Sequence, residues 1–125
     1  MTNTNDKKVI LAVDDSPENL DVLKSLLTPA FTVKAAINGI MALKIAEKSP
    51  PDAILLDVRM PGMDGFEVCR KLKQAEITRD IPVVFVTGED NAAMYAMTQE
   101  LGAVGVLIKP VDPVPLNDIL SKCLG

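Results

Sequence analysis

The sequence predicts an α/β domain, a parallel sheet with helices on both faces, and three observations lead there. Short apolar runs alternate with stretches of helical period five times along the chain. Most of the runs are continuously apolar, the pattern of strands buried on both faces of a parallel sheet. The runs also stop abruptly, at polar or charged residues followed by turn or helix-capping residues.

Val9-Ile10-Leu11-Ala12-Val13, preceded by Lys8, is the first buried strand and ends at Asp14-Asp15. Ser16-Pro17-Glu18 then reads as an N-cap, a proline at the first helical position and an acid in the first turn. Leu20, Leu23, Leu26 and Leu27 give that helix its apolar stripe, and Pro29 stops it. Residues 31–35, Phe31 to Ala35, form a shorter second strand whose alternation suits an edge position. Asn38 caps a second helix with Met41, Ala42, Ile45 and Ala46 on its buried face, and Pro50-Pro51 ends it.

Ala53-Ile54-Leu55-Leu56 is the most uniformly apolar run, and it terminates in Asp57. A Pro61-Gly62 turn follows, with Asp64 at an N-cap position. Phe66, Cys69 and Leu72 mark the inward face of the third helix, with Arg70, Lys71 and Lys73 around its other side. Val83-Val84-Phe85-Val86 ends at Thr87-Gly88-Glu89 and leads into an Ala- and Met-rich helix over residues 91–101. Gly105-Val106-Leu107-Ile108 ends at Lys109-Pro110. Asp112-Pro113 opens the last helix, whose apolar residues are Leu116, Ile119, Leu120 and Cys123.

At 125 residues the chain suits one domain over residues 8–125, with residues 1–7 a polar, flexible tail. The tail has no apolar core of a signal peptide, and no run approaches the ~18 apolar residues of a membrane span. A cytoplasmic location without membrane attachment is therefore expected. Histidine is absent, which removes His-ligated zinc, serine-type triads and histidine bases together. A net charge of −4 and four aromatic residues argue against direct binding of nucleic acid. Cys69 and Cys123 lack metal or disulfide spacing and read as buried free thiols.

The chemistry gathers at the strand ends. In a parallel sheet Asp14, Asp15, Asp57, Thr87 and Lys109 all fall at the carboxyl edge, where open α/β sheets bind ligands. Each is ordinary alone: Asp57 can begin a polar loop, Asp14-Asp15 can serve a helix dipole, and a lone Lys109 is commonly a solvated charge. Jointly they describe a phosphoryl-transfer site. Three clustered carboxylates repel, and a hard dication with oxygen ligands, Mg2+ above all, relieves the repulsion. Lys109 offers a point charge to an anion and Thr87 a hydroxyl donor. Asp57 is left as the group that accepts phosphate.

Val13-Asp14-Asp15, Leu56-Asp57 with Met60-Pro61-Gly62-Met63-Asp64-Gly65, Thr87-Gly88, and Gly102-Ala103 before Lys109-Pro110 resemble the receiver domain of two-component response regulators. The resemblance runs from about Lys8 to Leu124 with the motifs in family order. It implies a flavodoxin-like sheet of order 2-1-3-4-5. It also implies that Asp57 accepts a phosphoryl group from a phosphohistidine on a sensor histidine kinase or histidine phosphotransfer protein. Asp15, Asp57 and the backbone carbonyl of Arg59 would hold Mg2+, with Asp14 acting through a metal-bound water. Thr87 and Lys109 would bind the phosphoryl oxygens and move the domain to its active conformation, changing its binding to a downstream protein or a fused output domain. The domain would catalyse only its own phosphorylation and dephosphorylation. The Lys109-Pro110 bond is expected to be cis, as in the family.

One departure is plain. The family commonly carries Tyr or Phe three residues before the lysine, where this chain has Val106. The usual aromatic readout is therefore in doubt, with Tyr95 a substitute or a surface residue. The Met-rich fourth helix reads as a docking face or as core. Arg59 and Glu89, each two residues past a key group, are expected to pair across the cleft mouth and hinder hydrolysis. Other functions fit less well. A haloacid-dehalogenase-type phosphatase wants a second Asp where Arg59 stands, a nucleotide or flavin binder wants a Gly-rich loop after the first strand, and a docking-only receiver has no need of the intact acidic cluster.

Overall fold

A computed structural model describes residues 7–124; the expected tail at residues 1–7 lies almost wholly outside the described residues. Five strands alternate with five helices: β1 Val9–Val13, α1 Pro17–Leu27, β2 Thr32–Ala36, α2 Gly39–Lys48, β3 Ala53–Asp57, α3 Gly65–Gln74, β4 Val83–Thr87, α4 Ala92–Glu100, β5 Gly105–Ile108 and α5 Pro113–Leu124. All pairings are parallel, in the order β2-β1-β3-β4-β5. This is the expected flavodoxin-like sheet. β2 begins and ends one residue later than the sequence pattern suggests. No described helix is long and apolar enough to cross a membrane.

The helices start where their capping chemistry says they should. The side chains of Ser16, Asn38, Asp64 and Asn91 accept hydrogen bonds from the backbone N–H groups of Asn19, Met41, Glu67 and Met94, each satisfying a donor that the first turn leaves free. β3 and β4 are buried along their whole length, whereas the edge strand β2 is largely half-exposed or exposed.

Period-two alternation divides the core into two layers. Leu11 and Val13 of β1, Ile54 and Leu56 of β3, and Val83 and Phe85 of β4 join Ala42, Ala46, Val68, Cys69, Leu72 and Met94 on the side of α2, α3 and α4. Ile10 and Ala12, Ala53 and Leu55, Val84 and Val86, and Leu107 join Leu20, Leu23, Leu27, Leu116 and Leu120 on the side of α1 and α5. Asp14, Asp57 and Lys109 continue the second parity. Thr87 continues the first.

Two expected core residues lie elsewhere. Met41 is 39% exposed, because the inward stripe of α2 is carried by Gly39, Ala42 and Ala46, and only small side chains fit where this helix meets α3. Cys123 is only partly buried, packed at the margin of the core layer under α5, while Cys69 is fully buried. Val68, not singled out by the sequence pattern, is fully buried beside Gly39. The peptide bonds Lys109-Pro110 and Thr28-Pro29 are both cis, the second unanticipated.

The loop that carries the chain from β3 to α3 folds back on the strand it leaves. Gly65 N–H donates to the Val58 carbonyl at 2.9 Å, and a Cβ on Gly65 would lie 2.2 Å from the Asp57 carbonyl oxygen and 2.9 Å from Val58 Cα. Those neighbours are backbone and cannot swing aside. Gly65→Ala is expected to cost about 2–3 kcal/mol, as overpacked sites do. A urea midpoint unchanged from wild type would show that the loop yields freely.

Candidate phosphoacceptor site

β1, β3, β4 and β5 all end at one edge of the sheet, and their last residues build the site. Asp14 and Asp57 are 1% and 4% exposed, and Asp15 is exposed at the cleft mouth. One carboxylate oxygen from each of the three lies within 4.8 Å of the others, close enough for a single cation. Their donor set is oxygen alone, with no histidine in the chain and no cysteine in the cluster, which fits a hard dication such as Mg2+. Asp15, on the open side, has no side-chain hydrogen bond or ion pair among the described residues and is free to serve as a ligand.

Asp14 is held on every side. Its Oδ1 accepts the Ser16 N–H at 2.9 Å, and its Oδ2 accepts from Asn19 Nδ2 at 3.2 Å and Lys109 Nζ at 3.1 Å. Lys109 Nζ also donates to Asp57 Oδ1 at 3.2 Å, so a single ammonium bridges two buried carboxylates. β5 is separated from β3 by β4, a distance of about 10 Å at ordinary strand spacing. The long stem of a lysine spans that gap where a shorter cationic group would not.

The electrostatics follow from this crowding. Burial raises the Asp57 pKa above the usual aspartate value, and the Asp14 charge adds to the effect; Lys109 opposes both without cancelling them. For Lys109 burial pulls downward, yet the hydrogen bonds and charges of Asp14 and Asp57 outweigh it and the net shift is upward. The ammonium is therefore firmly charged, facing a carboxylate that bears its own charge at a cost. A group that brings positive charge to Asp57 is favoured here.

Thr87, 1% exposed at the end of β4, turns its hydroxyl to accept the Glu89 N–H at 3.1 Å. The Lys109 N–H donates to the Thr87 carbonyl at 2.8 Å, tying the ends of β4 and β5 together. Arg59 and Glu89 form the expected pair across the mouth: Nη2 donates to Oε1 at 2.8 Å and Nε to Oε2. That bidentate bond raises the Arg59 pKa and lowers that of Glu89. Beside the acidic cluster runs a cleft of about 350 Å³ lined by Asp14, Asn19, Val22, Lys109, Pro110 and Val111.

Every residue assigned to the site from sequence lies at this one edge. Asn19 was missed. Its only signal is its place in the first turn of the helix that follows Asp14, and a polar residue there is usually solvated. Tyr95 donates to Asp90 Oδ1 at 2.7 Å on the surface, and Val106 is half-buried beside it in a groove shared with Thr98 and Ile119.

A family model described as the response regulator receiver domain matches residues 10–121. The chain is 48% identical over 108 residues to the response regulator PleD of Caulobacter vibrioides, covering 86% of this chain and 24% of that protein. It thus spans about a quarter of that relative's length. The chemotaxis protein CheY4 of Vibrio cholerae superposes with a TM-score of 0.88 at 32% identity, covering 94% of this chain and 99% of that one. The receiver domain of a sensor histidine kinase from Pseudomonas aeruginosa, described with a magnesium ion coordinated in its active-site cleft, gives 0.87 at 30% identity over 95% and 98% of the two chains. Sheet order, the strand-end acids, the bridging lysine and these likenesses agree: the chain belongs to the response regulator receiver domains of two-component signalling.

Proposed function

We propose that this receiver domain accepts a phosphoryl group on Asp57 from a phosphohistidine of a sensor histidine kinase or histidine phosphotransfer protein. The observation that carries the reading is the geometry of Asp57: a buried carboxylate at the end of a central strand, bridged by Lys109 to Asp14 and within a cation's reach of Asp15. A carboxylate oxygen of Asp57 attacks phosphorus, the bond from phosphorus to the imidazole nitrogen breaks, and the leaving imidazole takes a proton. Asp15, Asp57 and the Arg59 carbonyl would hold Mg2+, which when bound offsets the negative charge gathered on the carboxylates and the phosphoryl oxygens.

Lys109 starts the reaction bound to Asp57 and Asp14 and finishes it on a phosphoryl oxygen, where its charge is more strongly used. Thr87 exchanges its bond from Glu89 N–H for one to another phosphoryl oxygen. The two shifts pull the ends of β4 and β5 toward β3, and the altered surface binds a downstream protein or a fused output domain. The chemistry changes this protein alone, and its output is a change of partner.

Incubation with acetyl phosphate and Mg2+ is expected to add roughly 80 Da, one phosphoryl unit, to the intact mass. Asp57→Asn or removal of the metal abolishes the gain. An equal gain on Asp57→Asn would move the acceptor elsewhere.

Burial and the Asp14 charge raise the Asp57 pKa, so the folded state holds that proton more tightly than the unfolded chain. The favourable contribution is complete below the ordinary value of 3.8 and is lost as pH rises through the raised one. At pH 7 without metal, Asp57→Asn is therefore expected to melt a few degrees higher than wild type, the gap closing as pH falls toward 4. Mg2+ should raise the wild-type melting temperature more than the variant's. A variant that melts lower at pH 7 would reverse the sign of the argument.

The Arg59–Glu89 pair lies over the mouth through which water must reach an aspartyl phosphate. As an exposed pair it contributes little to folding. Glu89→Ala should leave stability nearly unchanged and shorten the phosphoryl half-life several-fold, followed by loss of the added mass. An unchanged half-life removes the shielding role.

A further inference from the structure

We propose that Asn19 is a positioning residue of the phosphorylation reaction, acting as a stand-in donor that lets Lys109 leave Asp14. The inference rests on Asp57 phosphorylation as proposed above and assigns the step by which the lysine is released. Asp14 is almost completely buried, and both its oxygens are occupied by groups of this chain. Ser16 N–H fills Oδ1 and cannot move without unwinding the start of α1. Oδ2 carries two donors at once, the Asn19 amide at 3.2 Å and the Lys109 ammonium at 3.1 Å.

That double occupancy matters because Lys109 has a second destination. A buried carboxylate that loses its partner is left with an unmet acceptor, and such a loss costs far more than an ordinary hydrogen bond contributes. With Asn19 on the same oxygen, the departing ammonium leaves Oδ2 still hydrogen-bonded. The amide is neutral, so it satisfies the oxygen without holding the carboxylate as tightly as the lysine does. It also adds no charge that would compete with Mg2+ or repel a phosphoryl donor.

The local fold keeps the amide in place. Asn19 is fixed at its backbone, where its N–H donates to Ser16 Oγ in the cap of α1. α1 covers the sheet face whose parity Asp14, Asp57 and Lys109 continue. Asn19 and Lys109 line the same cleft, so the amide faces the space through which the lysine moves. A solvated asparagine at this position would keep the cap bond, but its amide would not reach Asp14 or line the cleft.

Asn19→Leu keeps the branched heavy-atom skeleton and the helix but removes the donor. Its phosphorylation by acetyl phosphate is expected to be slower by about tenfold, the scale of one unmet buried acceptor. Its Mg2+ dissociation constant, measured by titration calorimetry on the unphosphorylated protein, should stay within about twofold of wild type, since the amide touches no direct ligand. Asn19→Gln retains an amide and should recover most of the rate. A wild-type rate in Asn19→Leu overturns the proposal. So does a parallel loss of Mg2+ affinity, which marks collapse of the site, or a Gln variant as slow as Leu. If wild type itself gains no mass, it is the phosphoacceptor reading that fails, and the calorimetric titration still reports whether the metal site is intact.

Discussion

The bridge from Lys109 to Asp14 and Asp57 is the constraint on which the rest of the structure depends. It ties three strands of a parallel sheet together at their carboxyl ends, with two of its members nearly inaccessible to solvent. Buried ion pairs contribute little to net stability, because desolvation consumes much of the attraction, yet removing one partner is severe. The domain therefore carries a site that is costly to disturb and weakly stabilising when intact. Such a balance suits a switch. The cation is already shared between two anions, so a third anion at the site would redistribute it without a new lysine or arginine having to be buried.

The sheet makes that bridge possible. Two separate apolar layers hold the strands at fixed spacing and fixed parity, so Asp14, Asp57 and Lys109 reach the edge on the same face while Thr87 reaches it on the other. The site thus has two faces to grip a tetrahedral anion, one cationic and one hydroxylic. Gly65 supports this from below: its missing side chain lets the β3–α3 loop lie against the backbone of Asp57 and Val58. A wider loop would leave the end of β3 unsupported at the position that must hold a charged acid.

Much of this was legible in the sequence because strand ends in a parallel sheet share one edge. With the apolar runs as strands, Asp14, Asp57, Thr87 and Lys109 have to converge, and the capping residues Ser16, Asn38 and Asp64 mark where the first three helices begin. Sheet order came only through the resemblance to receiver domains, since run lengths do not say which strands are neighbours. What escaped was decided by side-chain detail. Met41 has helical spacing with Ala42 and Ile45 but lies on the outer flank of a helix that approaches its neighbour through small residues. Asn19 has no motif at all, and its role depends on a rotamer that points back at Asp14.

The valine at position 106 shows how far the strand-end chemistry can be separated from its readout. A half-buried valine has no ring to swing between inside and outside. The connections that lead away from Thr87 run through the β4–α4 loop. The Thr87 hydroxyl accepts the Glu89 N–H, so a shift of the whole Thr87 side chain pulls on that loop. Glu89 is tied to Arg59 across the mouth, and the adjacent Asp90 is tied to Tyr95 on α4. A displacement of that loop therefore strains one bond toward β3 and one toward α4. Tyr95 is the only tyrosine in a chain without tryptophan, and it is the one ring that α4 carries, 45% exposed. The position on β5 that lacks an aromatic thus has an aromatic neighbour on α4, bonded to the loop that follows Thr87.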